Sequence, residues 1–410
     1  MSTVASQEWR DCHLGDIGQI LIGLTYSPSQ VSASGTLVLR SSNIQNGQLA
    51  LDDTVRVIAD IPDQIRVRVS DVLICVRNGS RALIGKSLCL DERVEGETFG
   101  AFMAIFRSAH NDYLRFFFQS EEFKRQVDEH LGATINQITN RSLRGFEVHL
   151  PPPEERRLIA EVLADSEELI WSIERLISKK RWIRQGIVQQ LVTGKTRLKG
   201  FDSDWTTYTL RSIGRTYGGL TGKSAEDFGC GDGRFVTFMD VMANLRIDGS
   251  RLAPVRTSSA DKQNVVRNGD LLLNGSSETP DELAMAAVAV GVPPGTFLNS
   301  FCFGFRLNGD VGVDSEFLAC LLRADVGRRL LASAAQGAIR YNLSKRQFLS
   351  LQARLPVPEE QRAIAAVIQE CDEEISLLEA RLNKARAIKQ GMMQELLTGR
   401  TRLAARGALA

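Results

Sequence analysis

Leu150 to Leu198 reads LPPPEERRLIAEVLADSEELIWSIERLISKKRWIRQGIVQQLVTGKTRL, and Leu355 to Leu403 reads LPVPEEQRAIAAVIQECDEEISLLEARLNKARAIKQGMMQELLTGRTRL. The two segments align without a gap at a spacing of 205 residues, and roughly half their positions are identical. Shared helical composition alone does not give that much identity, so the chain is an internal repeat.

Each segment reads as one long helix. Pro-x-Pro-Glu-Glu suits a first turn, where proline costs no hydrogen bond and carboxylates complement the helix dipole. Apolar positions then recur at alternating steps of four and three, the pattern of a heptad seam. In the first copy the seam is Ile159, Leu163, Ile170, Ile173, Ile177, Ile187 and Leu191, interrupted by Ser166, Lys180 and Arg184; in the second it is Ile364, Ile368, Ile375, Leu378, Leu382, Met392 and Leu396, with Cys371, Ala385 and Lys389 between. Thr193-Gly194 and Thr398-Gly399 stop the helices, after about 38 residues, on the order of 57 Å. A helix of that length with one apolar stripe needs a partner. The nearest is its own duplicate, and a pseudo-twofold relation between the halves makes the pairing antiparallel. Two separate helices, each lying on its own domain, are the alternative.

Outward from the segments the correspondence weakens but persists. Trp9, Leu14, Ile17 and Gly18 match Trp205, Leu210, Ile213 and Gly214; Gly23-Leu24-Thr25 matches Gly219-Leu220-Thr221; Asp71 and Asn78-Gly79-Ser80 are set against Asp270 and Asn274-Gly275-Ser276; Gly132-Ala133 matches Gly337-Ala338. The order is therefore variable region 1–149, constant segment 150–199, variable region 200–354 and constant segment 355–410. In the variable regions, 67–76, 101–106, 270–273 and 301–307 read as strands, Asn46-Gly47 and Asp248-Gly249 as hairpin-type turns, and 113–129 and 317–335 as helices with basic positions Arg115, Lys124, Arg125, Arg323, Arg328 and Arg329. The class is α/β or α+β, in two copies joined by the helices.

With 50 basic and 49 acidic side chains the net charge is +1, so any nucleic-acid surface is local or shared with a partner. No apolar run suits a signal peptide or a bilayer span, so the protein is expected in the cytoplasm. Seven scattered cysteines without a C-x-x-C pair and four histidines without ligand spacing argue against a disulfide frame and a metal site. Thr193-Gly194-Lys195-Thr196 and Thr221-Gly222-Lys223-Ser224 lack the leading glycine of a phosphate loop. Pro62-Asp63 and Glu122-x-Lys124 are too far apart for a nuclease metal site, and without a secretion signal the Asn-Gly-Ser triplets are turns, not glycosylation sites. No Asn/Asp-Pro-Pro-Phe/Tyr segment occurs, so the chain is not expected to be an enzyme.

The paired Leu-Pro-x-Pro-Glu-Glu-x-Arg openings, the Leu-(Val/Leu)-Thr-Gly-(Lys/Arg)-Thr-Arg-Leu closings and the loop Gly-Ala-Thr-Ile-Asn-Gln-Ile-Thr at 132–139 resemble those of type I restriction-modification specificity subunits, over nearly the whole chain. The resemblance implies that each variable region is a target-recognition domain reading one half of a bipartite DNA site, and that the helices act as a spacer. It also implies two modification subunits carrying S-adenosylmethionine and restriction subunits carrying ATP and magnesium; this chain itself would hold no cofactor. Independently of the resemblance, a two-copy protein suits duplex DNA, and diverged copies imply unequal half-sites. A coiled-coil scaffold whose variable domains bind proteins is the competing reading.

Base reading uses Arg, Lys, Asn, Gln, Ser or Thr on loops held by a rigid scaffold. The first region offers Arg40, Ser42, Asn43, Arg77, Asn78, Arg81, Thr134, Asn136, Gln137, Asn140 and Arg141. The second offers Asp240, Asn274, Ser276, Ser277, Arg340, Tyr341, Asn342, Lys345 and Arg346.

Overall fold

A computed structural model of the chain describes residues 8–131, 136–258, 261–309, 311–337 and 340–403. Two helices of 39 residues each, Pro153–Leu191 and Pro358–Leu396, begin at the expected prolines. The chain divides into two compact units, Met1–Glu174 with Ala380–Ala410, and Arg175–Glu379. Each unit therefore takes half of each long helix.

In the first unit a four-stranded antiparallel sheet runs in the order Gln19–Ile22, Met103–Arg107, Val72–Cys75, Ser87–Cys89. The second unit repeats it as Gly214–Gly218, Cys302–Leu307, Leu271–Asn274, Ala286–Ala289, and adds a parallel edge strand, Arg246–Ile247. In both units an amino-terminal strand closes against the strand leading into a long helix: Arg10–His13 on Glu147–Leu150, and Thr206–Thr209 on Gln352–Leu355. The sheet core of the first unit takes in Ile159, Leu163, Leu396 and Leu397; that of the second takes in Val188, Leu191, Ile364 and Ile368. Each fully buried aliphatic side chain contributes about 1.5–3 kcal/mol, so the helix ends belong to the domain cores.

The seam is as the heptads require. All its apolar positions are buried except Ile187, Leu378 and Met392, which are half-buried. Its polar interruptions set the antiparallel register. In the first unit Lys389 pairs with Glu167 at 2.6 Å and Arg386 with Glu174 at 2.6 Å. In the second, Arg184 pairs with Asp372 and Arg181 with Glu379, and Lys180 reaches Glu374 at 2.6 Å. The first two pairs of each unit occupy equivalent positions of the repeat.

Several expectations change. The stretches 113–129 and 317–335 are each two helices: Asn111–Phe117 and Glu121–His130, where Ser120 caps the second, and Ser315–Arg323 and Asp325–Ser333, broken at Ala324. Residues 67–71 are a turn, not strand, because the Asp71 carboxylate accepts the Arg68 amide and Ser70 is left-handed. Asn46-Gly47 does turn a short hairpin, both residues having positive φ. Asp248-Gly249 does not: its flanking strands pair elsewhere, Arg246–Ile247 with Ala286–Ala289 and Ala253–Val255 with Phe228–Val236.

Other matched residues find structural causes. Asp71 accepts two bonds from Arg107, at 2.8 and 2.7 Å, and Asp270 two from Arg306, at 2.8 and 2.6 Å, both carboxylates being buried. A Cβ on Gly23 would stand 2.2 Å from the Gly100 oxygen, and one on Gly219 2.0 Å from the Asn299 oxygen, so both Gly-Leu-Thr motifs exist to let two backbones touch. The cysteines are free, and burial pushes Cys302 and Cys320 up to about 12, consistent with packing thiols. No helix among the described residues is long and apolar enough to cross a membrane.

Candidate nucleic-acid interface

The opening and closing motifs of the constant segments meet each other crosswise. In the first unit Glu155, from the first opening, accepts Arg402, from the second closing, at 2.8 Å, together with the Trp9 indole at 2.9 Å and the Leu403 amide at 3.1 Å. In the second unit Glu360 accepts Arg197 at 2.7 Å. Each arginine lies over a tryptophan, Arg402 over Trp9 and Arg197 over Trp205. Gly399 and Gly194, both at φ 69°, let the chain turn against those rings. These motifs are therefore a clasp, built twice. Burial alone would raise the Glu155 pKa, but the bonds from Arg402, Trp9 and Leu403 outweigh it and hold the carboxyl below its ordinary value.

The candidate reading residues divide into those the fold brings to one edge and those it consumes. Asn43 is fully buried and donates to the Ala50 and Asp53 carbonyls; Asn274 is fully buried and bonds Ser276, Glu282 and Met285; Asp240 closes a turn with Thr237. The polar atoms of Asn43 and Asn274 are spent, so these two are corrected to scaffold residues, while Asp240 is half-buried with only its Oδ2 engaged. Arg40 pairs with Asp53, leaving its Nε and the Ser42 hydroxyl without partners among the described residues. Arg81 faces Asp128. Asn140 and Arg141 begin a short helix capped by Thr139, and Lys345 and Arg346 begin its counterpart capped by Ser344. Thr134, Gly132-Ala133 and Ala338 lie outside the described residues. Of the basic helix positions, Arg115 pairs with Glu167, while Arg323 and Arg328 donate to main-chain carbonyls. Burial, with Arg328 close by, lowers Arg323 to about 10.

What remains converges. In the first unit the strand end Arg77-Asn78 bridges to Asn136-Gln137: Arg77 pairs with Gln137, the Asn136 amide donates to the Gly79 carbonyl at 3.1 Å, and the Asn78 amide reaches the Ser41 hydroxyl at 3.1 Å. In the second unit Ser276 pairs with Asn342 and Ser277 with Tyr341, while Arg340 donates to the Ser276 hydroxyl at 3.3 Å. The strand registers correct the alignment here. Cys75 faces Met103 as Asn274 faces Cys302, so Asn274 corresponds to Cys75, Ser276 to Arg77 and Ser277 to Asn78. The two Asn-Gly-Ser triplets are not equivalent turns.

Two residues that the sequence reading passed over complete each edge. Phe102 and Phe301 precede the equivalent strands Met103–Arg107 and Cys302–Leu307 and are 57% and 58% exposed. Arg77 lies 5.1 Å from the Phe102 ring centroid, and Arg340 lies 5.7 Å from that of Phe301. The available signal was the repeat itself, which sets Phe102, Phe106 and Arg107 against Phe301, Phe305 and Arg306. The edge combines amides, hydroxyls, guanidinium groups and an exposed aromatic ring on strand-held loops, the chemistry that reads base edges. Among the described residues there is no cluster of groups able to hold a metal ion.

The model of the type I restriction modification DNA specificity domain matches residues 6–180, most of the first repeat. The specificity subunit of the EcoKI type I restriction enzyme from Escherichia coli K12 is 24% identical over 200 residues, 46% of this chain and 43% of that protein. The putative MjaX type I specificity subunit of Methanocaldococcus jannaschii is 23% identical over 428 residues, 97% of this chain and 94% of that one. The match thus spans less than half of the first relative and nearly all of the second. A chain from a structure concerned with complex assembly and conformational transition of the type I restriction-modification system superposes with a TM-score of 0.59 at 16% identity, covering 95% of this chain and 97% of that one. Residues 6–180 thus match the type I restriction modification DNA specificity domain, the second repeat is built to the same strand order, and the fold is shared with that solved structure along nearly the whole chain.

Proposed function

We propose that this chain is the sequence-specific DNA-recognition subunit of a type I restriction-modification complex. The observation that carries the reading is the edge built twice at equivalent strand ends with different accessible side chains, Arg77, Asn78 and Gln137 in one unit, and Arg340, Tyr341 and Asn342, set over the buried Ser276 and Ser277, in the other. Equal scaffolds with unequal reading groups select a bipartite, asymmetric site, each unit taking one half. The chain contributes no catalysis. Two modification subunits bring S-adenosylmethionine, and restriction subunits bring ATP and magnesium, in the cytoplasm. The long helices set the gap between half-sites and dock the modification subunits; the exposed Trp182, Leu377 and Ile388 side chains on them offer apolar contact. With a net charge of +1, much of the phosphate neutralisation comes from the partners.

Co-expression with the cognate modification subunit, followed by mapping of methylated adenines across the host genome, tests this. The expected result is a bipartite motif with a fixed gap. Deleting one heptad from either long helix changes the gap and leaves both half-sites intact. A stable complex that adds no sequence-specific methylation overturns the reading.

A further inference from the structure

We infer that Phe102 and Phe301 are the apolar base contacts of the two half-sites, each ring meeting a thymine methyl group in the major groove beside its guanidinium companion. The inference rests on the reading that each unit binds half of a DNA site.

Three observations carry it. First, both rings stand more than half exposed at the same point of the repeat, although an exposed phenylalanine adds nothing to a core. Second, each is held rigidly by its own main chain. The Phe102 carbonyl accepts the Val76 and Arg77 amides, both at 3.1 Å, and the Phe301 carbonyl accepts the Gly275 amide at 2.8 Å. A knob fixed by the sheet loses little entropy on meeting a ligand. Third, the guanidinium over the ring is kept while its source moves. In the first unit it comes from Arg77, at the strand end; in the second that position is Ser276, and the cation comes from Arg340, whose guanidinium reaches back to bond the Ser276 hydroxyl. Two diverged units arrive at the same ring-and-cation pair by different routes, so the pair is tied to what both units bind rather than to how either one folds.

The companions favour duplex DNA as the occupant. Asn136 and Gln137 in one unit, and Tyr341 and Asn342 in the other, stand on the same edge as the ring with accessible hydrogen-bonding groups suited to major-groove base edges, where the thymine methyl is the one apolar feature. Arginine beside it matches guanine or phosphate.

The test uses the complex with its modification subunit. Phe102→Ala is expected to relax one A·T position in one half of the methylated motif, and Phe301→Ala one position in the other half. Both variants should melt as wild type does, and Phe→Leu at either position should restore discrimination in part. On synthetic duplexes, replacing the contacted thymine by deoxyuridine removes the methyl alone. It should weaken wild-type binding on the order of fivefold and leave the alanine variant unchanged. Alanine variants that keep the full motif, or that lose affinity equally on thymine and deoxyuridine duplexes, overturn the inference while the bipartite reading stands. A wild-type complex that writes no bipartite motif overturns both.

Discussion

The clasps and the reading edges are the two parts of each unit that sequence repetition treats in opposite ways. At the clasps, Glu155 with Arg402 and Glu360 with Arg197 occupy equivalent positions, each arginine on a tryptophan. At the edges, Arg77 becomes Ser276 and Asn78 becomes Ser277, and the stacking cation changes its place in the chain. The difference follows from burial. A buried carboxylate without its partner is an uncompensated charge, so both members must persist together. Arg77, Arg340 and Asn342 are exposed and keep their hydrogen bonds with water, so such positions are free to vary, while Ser276 and Ser277 beneath them are buried and bond Arg340 and the Thr279 amide.

Substitutions can break this comparison, and the sheet ion pair gives the largest effect. Asp71→Asn and Asp270→Asn each leave a partly buried arginine without a counter-charge, and each should destabilise its unit by about 3 kcal/mol. Urea denaturation measures both, and a trivial cost at one position alone would end the structural equivalence of the two units. Next come the clasps. Glu155→Gln should cost about 2–3 kcal/mol at neutral pH, because a neutral amide replaces the acceptor of a charge-assisted network. The Glu155 pKa is depressed in the folded state, so its contribution is complete above the unfolded carboxylate value and is lost as pH falls through the folded one. Thermal melts of wild type and variant should therefore converge on acidification from neutral pH, and a constant difference between them would discard the ionic account. The reading edge should give the smallest stability change: Arg77→Ala and Arg340→Ala should each move stability by less than about 0.5 kcal/mol while altering methylation at one half-site each. A large loss of stability from either would make the edge part of the scaffold.

Much of the architecture was legible because periodicity survives in a linear chain. The heptads located both helices, the repeat implied their antiparallel pairing, and its identities marked Trp9 with Trp205 and Glu155 with Glu360 as important. Their purpose was not legible, since Glu155 and Arg402 lie 247 residues apart and only folding makes them neighbours. Base-reading candidates were harder still. Asn43 and Asn274 have reading chemistry but bond the fold, a distinction that depends on burial and not on residue type. Phe102 and Phe301 were passed over because they were read as strand residues, whose apolar side chains normally turn inward, whereas the strands begin one residue later.

By itself, then, the sequence determined two copies, two long helices, the strand-rich regions between them and the chemistry available on their loops. These are carried by local periodicity and by identity between the halves. Only the tertiary structure decided which strand residues are equivalent, which amides are spent inside and which rings face outward. Hydrogen-bond register and solvent exposure are properties of segments distant in the chain, and no single segment encodes them.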